Sequence, residues 1–209
     1  ESSARRFAGD EDGFTYGRYG NPTVASFEQR LAALEGIEAA IATASGMSAI
    51  LMMCMALLKA GDHIVCSQSV FGSTIRLFAG EFSKWGITTT FVSQTDVQAW
   101  RAAMRPNTKL LYGETLGNPR INVFPFEEVA RAGQEFGIPL MIDNTFATPY
   151  LARPFEYGAN IVVHSATKFI GGHGTSIGGV IVDGGNFAWK DNPRFANFNT
   201  PDDSYHGLV

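Results

Sequence analysis

The sequence is poor in charge and has no long apolar run. Asp, Glu, Lys and Arg make up 17% of its 209 residues, and the formal net charge is -4 without a block of basic residues. We therefore expect neither a nucleic-acid partner nor binding to an acidic membrane surface. The longest apolar run, residues 50–58, is too short to cross a bilayer.

Cysteine is also scarce. The two cysteines, Cys54 and Cys66, lie in apolar surroundings. We expect reduced core thiols rather than a disulfide, as is typical of an intracellular, cytoplasmic protein. The chain starts abruptly at Glu1 without Met and stops at Val209 without a closing element. We therefore expect the natural chain to continue beyond both points.

The pattern that is present alternates short apolar strands with helices. Strands are predicted at 37–43, 62–67, 88–92, 109–112, 138–142, 161–163 and 180–182. Helices are predicted from a cap at Thr23 to Gly36 and at 49–58, 75–85, 96–104 and 126–136. This βα order predicts one large α/β domain, residues 21–209, with a largely parallel, doubly wound sheet and helices on both faces. Residues 1–20 are rich in glycine, which predicts an extended N-terminal arm.

Polar or reactive residues follow several predicted strands, where open α/β sheets bind ligands. They are Ser45–Gly46, Phe71, Asn118, Asp143 and residues 165–168. The N–H groups of Gly46, Met47 and Ser48 would converge at a helix start and suit an anion. A Ser-Gly turn can equally serve packing alone.

Lys168 lies between two apolar runs, beside small hydroxyl residues. Such neighbours can desolvate an amine and lower its pKa, as a nucleophile requires. A strand-end lysine that extends to solvent fits the same stretch. Asp143, one βα unit earlier, ends a buried strand, where a carboxylate either caps a turn or needs a cation. Together the two residues have the spacing of an electron-sink site, in which lysine forms an imine and aspartate keeps a ring nitrogen protonated.

The N-terminal arm carries Tyr16 and Arg18, two residues apart. An extended chain points both side chains to one side. An arginine and a tyrosine presented together suit a phosphate. A surface loop with an exposed arginine is the simpler interpretation of these residues taken alone.

Five segments together resemble one family. They begin at Tyr16, Ala44, Glu114, Asp143 and His164, and read Tyr-Gly-Arg-Tyr-Gly-Asn-Pro-Thr, Ala-Ser-Gly-Met, Glu-Thr-Leu-Gly-Asn-Pro, Asp-Asn-Thr-Phe-Ala-Thr-Pro-Tyr and His-Ser-Ala-Thr-Lys. In this order they resemble the Cys/Met-metabolism family of fold-type I enzymes, which depend on pyridoxal 5'-phosphate (PLP). The resemblance implies a three-layer αβα large domain like that of aspartate aminotransferase. It also implies a homotetramer of close dimers and a small C-terminal domain, outside this chain, that supplies the arginine for the substrate carboxylate.

The resemblance assigns a role to each matching residue. Lys168 would hold the cofactor covalently and shuttle protons, and Asp143 would pair with the ring nitrogen. The phosphate would be held by Gly46 and Met47 N–H groups and by the Ser165 and Thr167 hydroxyls, with Tyr16 and Arg18 reaching the phosphate of a neighbouring subunit. Asn118 would hydrogen-bond the phenolic oxygen of the ring, and Phe71 would stack on it.

Two positions depart from the lyases of this family. Phe71 stands where they usually have tyrosine, and Ser73 where the methionine γ-lyase branch has cysteine. Residues 70–74 resemble the branch that uses succinyl esters of homoserine, whereas residues 171–183 and 201–209 resemble the branch that uses acetyl esters. We therefore expect sulfide or a thiol to replace the acyloxy group of an O-acylhomoserine, the acetyl ester first, giving homocysteine or methionine.

Other functions fit the sequence less well. Within the family they are the succinyl-ester sulfhydrylases, methionine γ-lyase, and cystathionine γ-synthase or γ-lyase. Outside the enzymes, the protein could be a cofactor-free binding module with the same fold, in which Lys168 would have a structural role. A metal site could use His164 and His173, but no close pair of ligands accompanies them, and we expect each to pack or to support its neighbours.

Overall fold

In a computed structural model, the structure describes residues 2–8, 10–18, 20–201, 203 and 207. Most of the predicted motif over 201–209 lies outside these residues. The described chain forms a seven-stranded sheet in the order β1-β7-β6-β5-β4-β2-β3. The strands are β1 Ala40–Thr43, β2 His63–Ser67, β3 Thr88–Val92, β4 Thr108–Glu114, β5 Leu140–Asp143, β6 Ile161–Ser165 and β7 Gly179–Asp183.

The sheet is parallel except for one strand. β7 runs antiparallel to both of its neighbours, β1 and β6, while β3, β2, β4, β5 and β6 pair in parallel. The chain reverses between β6 and β7 through residues 166–178, which contain no crossover helix. The mainly parallel α/β sheet predicted from the sequence is therefore confirmed.

Helices cover both faces of the sheet. They are α1 Ser2–Ala8, α2 Pro22–Glu35, α3 Gly46–Leu57, α4 Gly72–Arg76, α5 Phe82–Lys84, α6 Val97–Ala103, α7 Phe126–Phe136 and α8 Thr148–Leu151. Side chains of α3 and of residues 70–87 form a core on one face, and those of α2, α6 and α7 form a second core on the other. Cys54 and Cys66 are buried, unpaired thiols in the first core, as predicted.

Two predicted strand starts are wrong for one reason. β1 begins at Ala40 rather than at residue 37, and β5 begins at Leu140 rather than at 138. In both places a left-handed glycine ends a helix and the next N–H bonds back to that helix: Ile37 to the Ala32 carbonyl and Ile138 to the Gly133 carbonyl. These first apolar residues therefore close the helices before the strands start.

The predicted cap of α2 is also wrong. The cap is Asn21, whose side-chain oxygen accepts hydrogen bonds from the N–H groups of Thr23 and Val24 at 2.9 and 3.2 Å. Pro22 then occupies the first helical turn, where its missing N–H costs nothing. The helix predicted at 75–85 starts earlier, at Gly72, and contains a π-helical turn at Leu77–Glu81.

The N-terminal arm is not extended throughout. Residues Ser2–Ala8 form α1, which buries no residue. Glu11 folds back on this helix, accepts a hydrogen bond from the Ser2 hydroxyl and pairs with Arg5 and Arg6. Because polar contacts hold the helix, the apolar periodicity that indicates other helices is missing.

After β7 the chain crosses the edge of the sheet where the parallel strands start. The Gly184 N–H bonds to the carbonyl of Asn160, and Arg194 donates to the carbonyls of Pro106 and Thr108. This loop-like segment, as predicted, has only a short 3₁₀ helix at Pro193–Phe198. Among the described residues, no helix has the length and apolar character needed to span a membrane.

Candidate cofactor site

A cleft of about 180 Å³ opens at the carboxyl ends of the parallel strands. Seven of the ten predicted site residues line it: Gly46, Met47, Phe71, Asn118, Asp143, Ser165 and Lys168. Five further residues complete the lining: Ile50, Glu114, Leu116, Thr145 and Phe146. The sheet therefore brings together residues as far apart in the sequence as Gly46 and Lys168.

One wall of the cleft is the N-terminus of α3. Ser45 and Ser48 form a reciprocal cap, in which each side chain accepts a hydrogen bond from the other's backbone N–H. A Cβ at Gly46 would lie 2.6 Å from the Cβ of Ser165, so only glycine lets this turn approach β6 so closely. The first N–H groups of a helix have no acceptor within it. Gly46 and Met47 thus present N–H donors beside the Ser165 side chain, a pattern that suits an anion.

The facing wall carries Asp143, the last residue of β5. Its Oδ1 accepts hydrogen bonds from both the N–H and the hydroxyl of Thr145, and Thr145 Oγ1 in turn accepts the N–H of Ser165 at 2.7 Å. Burial raises the pKa of Asp143, and the Thr145 hydrogen bonds act against that rise. The carboxylate forms no ion pair with any described residue. A cation that entered the cleft would therefore be strongly favoured next to Asp143.

Glu114 lies directly beside Asp143. The two residues end β4 and β5 and face each other in register, so that their side chains project on the same face of the sheet. The side chain of Glu114 is buried, and its Oε1 accepts the backbone N–H of Phe71 at 2.6 Å. Burial, followed by the charge of Asp143, raises the pKa of Glu114 to about 8.

Lys168 lies in the turn after β6, and its N–H bonds to the Ser165 carbonyl at 3.2 Å. Its side chain lines the cleft but is exposed. The expectation that neighbouring residues of this chain desolvate it is therefore wrong for the chain alone. The glycines that follow do allow close packing: a Cβ at Gly179 would lie 2.2 Å from the Ser45 carbonyl oxygen, and one at Gly171 2.7 Å from that of Ala166.

Three predicted site residues lie outside the cleft lining. The Thr167 hydroxyl donates a hydrogen bond to the Gly178 carbonyl and accepts one from the Gly178 N–H, at 3.2 Å each. Tyr16 and Arg18 lie on the exposed arm, with the Arg18 guanidinium carbon 5.0 Å from the centre of the Tyr16 ring. Their roles at a phosphate stay predictions.

The two histidines near Lys168 are separate from each other and from the cleft. His164 is fully buried and bonded to Glu35, as expected for a supporting residue. His173 is exposed and contacts the Gly171 carbonyl at 2.9 Å. Within the described part of the chain, no three His, Cys, Asp or Glu side chains are grouped as a metal site requires.

The residues that sequence reasoning missed are Glu114, Thr145 and three apolar neighbours, Ile50, Leu116 and Phe146. Glu114 and Thr145 belong to the segments that carried the family resemblance, but only their polar neighbours had been given roles. Glu114 could have been found from the sheet order: it ends the strand next to the one that ends in Asp143.

Comparison with known proteins shows which family the chain resembles over its length. Residues 1–205 match the family model of Cys/Met metabolism PLP-dependent enzymes. The chain is 49% identical to an O-acetyl-L-homoserine sulfhydrylase of Leptospira meyeri, over all of this chain and 47% of that protein. It is also 49% identical to an O-succinylhomoserine sulfhydrylase of Pseudomonas aeruginosa, over 88% of this chain and 45% of that protein.

Solved structures show the same fold. A crystal structure from Campylobacter jejuni, described as an O-acetylhomoserine (thiol)-lyase with an N'-pyridoxyl-lysine-5'-monophosphate, matches with a TM-score of 0.92 and 36% identity. The match covers 99% of this chain and 52% of that one. The chain thus spans about half the length of the relatives it matches. Over that half the agreement in sequence and fold is continuous, and the chain belongs to the Cys/Met metabolism family of PLP-dependent enzymes.

Proposed function

We propose that the whole protein is a PLP-dependent transferase that replaces the acyloxy group of an O-acylhomoserine, O-acetylhomoserine in the first place, with sulfide or a thiol. The products would be homocysteine or methionine and the free carboxylic acid, in methionine biosynthesis. The observation that carries the proposal is the cleft, which is lined by the start of a helix, by a carboxylate that no described residue pairs with a cation, and by a lysine side chain. The named activities of the relatives support the choice of reaction.

The residues of the cleft fit PLP in charge and shape. The N–H groups of Gly46 and Met47 and the Ser165 hydroxyl would hold the phosphate. Asp143, which lacks a cation among the described residues, would accept the protonated ring nitrogen. Phe71, whose side chain is 47% exposed at the cleft, would cover a face of the ring. Asn118 would donate a hydrogen bond to the phenolic oxygen.

Bound PLP supplies an electron sink for bonds at the substrate's α and β carbons. The Nζ atom of Lys168 would hold the cofactor and, once released, remove and return protons at these carbons. Asp143 would keep the proton on the ring nitrogen throughout. Phe71 can only stack, since it has no hydroxyl to donate or accept a proton. This difference from the tyrosine usual in the lyases favours replacement over elimination.

The succinyl ester is the second candidate substrate. Residues 70–74, which include Phe71 at the cleft, resemble the succinyl branch, and the Pseudomonas relative is as similar as the Leptospira one. Residues 171–183 favour the acetyl ester, and they form the turn after Lys168 and all of β7. We place the acetyl ester first because that stretch is longer.

We further propose a homotetramer of close dimers in the cytoplasm. The arm would lie against the neighbouring subunit and direct Tyr16 and Arg18 to its phosphate, in keeping with the position of both residues away from this chain's own cleft. A C-terminal domain would supply the arginine for the substrate carboxylate.

One experiment tests the reaction. Purified full-length protein is supplied with PLP, sulfide and either acetyl- or succinyl-homoserine, and homocysteine is quantified. We expect homocysteine from both esters or from the acetyl ester alone, with the higher kcat/KM for the acetyl ester. A higher value for the succinyl ester would assign the second candidate. Ammonia and 2-oxobutanoate from methionine, without homocysteine from either ester, would indicate a lyase and overturn the proposal.

A further inference from the structure

Among the described residues, Glu114 is the only one whose side chain hydrogen-bonds to the backbone of Phe71. Its Oε1 accepts the Phe71 N–H at 2.6 Å, and the Phe71 carbonyl accepts the N–H groups of Thr74 and Ile75 at the start of α4. The backbone of Phe71 is thus held on both sides of its Cα atom. Since a side chain moves with its backbone, the hydrogen bond that the Phe71 N–H donates to Glu114 fixes the base of the ring that faces the cleft.

Several other ionisable side chains lie near Glu114. Asp143 lies beside it on β5, and the phenol of Tyr112, two residues earlier on β4, projects on the same face. Cys66 on β2 interacts electrostatically with Glu114, and His164, on the other face of the sheet, interacts with Asp143. Lys168 lines the same cleft. The Tyr112 hydroxyl is buried near Asp143 and makes no hydrogen bond of normal geometry with any described residue.

Ionising two adjacent buried carboxyl groups is unfavourable, because the negative charges repel each other and neither is solvated by water. Glu114 is 4% exposed, and none of the described residues forms an ion pair with it or with Asp143. Burial and the Asp143 charge raise the pKa of Glu114 to about 8, whereas Asp143 has two hydrogen bonds from Thr145 that favour its ionised form. The Thr145 hydrogen bonds therefore favour Asp143 as the ionised member of the pair and Glu114 as the protonated one.

We propose that Glu114 is a positioning residue of the cofactor site: its carboxyl fixes the backbone of Phe71 and keeps a proton, which leaves Asp143 as the single carboxylate for the ring nitrogen. The inference rests on PLP binding in this cleft and not on the identity of the ester. It predicts that a neutral side chain of the same shape can replace Glu114, while a side chain without an acceptor cannot.

The affinity for PLP tests the first half of the proposal. Full-length apo-protein is titrated with PLP, and binding is followed by the visible absorbance of the lysine-bound cofactor. Glu114→Gln keeps an acceptor for the Phe71 N–H and should bind within about twofold of the unchanged protein. Glu114→Ala leaves that N–H unpaired and should bind about tenfold more weakly. In a Phe71→Ala background, the added effect of Glu114→Ala should fall to about twofold or less.

A tenfold or larger loss in Glu114→Gln would show that the site needs a charge at 114 and would overturn the proposal. An equal effect of Glu114→Ala with and without Phe71 would show that Glu114 does not act through that ring.

Infrared spectroscopy tests the proton. At neutral pH the unchanged protein should show the carbonyl stretch of a protonated carboxyl that shifts in heavy water and is absent from Glu114→Gln. A band that persists in Glu114→Gln but disappears in Asp143→Asn would place the proton on Asp143 and overturn the assignment. Neither measurement depends on homocysteine formation, so an incorrect substrate would leave both results interpretable.

Discussion

His164 Nε2 lies 2.5 Å from Glu35 Oε1, and both side chains are fully buried. The contact joins the last residue of α2 to the strand that leads into Ser165 and Lys168. It lies on the face of the sheet opposite the cleft, because His164 and Ser165 are successive residues of a strand. The His164–Glu35 contact thus supports, from the opposite face of the sheet, the end of the strand that leads into the turn carrying Lys168.

We expect Glu35→Ala to destabilise the protein by about 2–4 kcal/mol, because it leaves the buried His164 without its partner. Urea unfolding of the two proteins measures the difference. Glu38→Ala, on the exposed stretch three residues later, is the matched control and should change the free energy of unfolding by less than about 0.5 kcal/mol. A similar small change for Glu35→Ala would mean that the pair contributes nothing to stability.

Replacing Lys168 with alanine should abolish the visible absorbance of the lysine-bound cofactor and lower kcat by roughly 10³-fold or more, because no other amine lines the cleft among the described residues. Absorbance spectra and turnover are measured on the same preparation. Lys84→Ala, which removes an exposed lysine paired with Glu81, should leave both unchanged. An intact spectrum in Lys168→Ala would refute the assignment of this residue.

Asp143→Ala should retain part of the cofactor but lose roughly 10²- to 10⁴-fold in turnover, since the ring nitrogen would lose the carboxylate that keeps it protonated. Cofactor content and kcat are measured in parallel. Asp183→Ala, at the other end of the sheet, serves as the control. Normal turnover in Asp143→Ala would contradict an electron sink at this position.

Gly46→Ala should weaken PLP binding by about tenfold or more, because the new Cβ would lie 2.6 Å from Ser165 and push apart the two walls that hold the phosphate. PLP titration of the apo-protein measures it. Gly80→Ala is the control, since a Cβ at Gly80 meets no atom within 4 Å. If both variants bind PLP equally, the α3 N-terminus does not hold the phosphate.

Stability should depend on His63 between about pH 4 and 6.5. Its ring is buried between the Thr108 and Thr90 hydroxyls, and burial lowers its pKa to about 4. Below about pH 6.5 the His63 ring is protonated in the unfolded chain but stays neutral in the folded chain. The contribution of His63 to the free energy of unfolding is therefore fully present above pH 6.5 and is lost as the pH falls towards 4.

The expected loss over this range is about 2 kcal/mol. The difference between the unchanged protein and His63→Gln, measured by urea unfolding at a series of pH values, isolates this contribution from those of the carboxyl groups. His173→Gln, at an exposed position, should leave the pH dependence unaltered. An unaltered slope in His63→Gln would show that this ring is not responsible.

Periodicity and turn residues were sufficient to predict the α/β class and most elements, because most of the parallel strands contain a short apolar run flanked by a glycine or polar turn. What they could not predict was how a helix ends in three dimensions: Ile37 and Ile138 look like strand residues but bond back to the preceding helices. Helix α1 was missed because polar contacts of Glu11 with Arg5 and Arg6 hold it, and such contacts leave no apolar periodicity in the sequence.

For the site, the order of strands was the missing information. Seven predicted residues meet in the cleft because each lies at or after the carboxyl end of a strand, which the sequence reveals. Glu114 does so too, but its significance depends on which strand lies beside β5, and only the folded sheet reveals this. The exposure of Lys168 likewise could not be derived from its small and apolar neighbours in the sequence.

The reversed strand β7 has a consequence for the path of the chain. It starts at Gly179, level with Ser165 at the cofactor edge, and runs to Asp183, level with Ile161. From its first to its last Cα atom it carries the chain about 13 Å away from that edge. The described residues after β7 then stay at the opposite edge, against Asn160 and Thr108. After Lys168, no described residue lines the cleft, so the turn at 166–178 is the last part of the described chain to reach it.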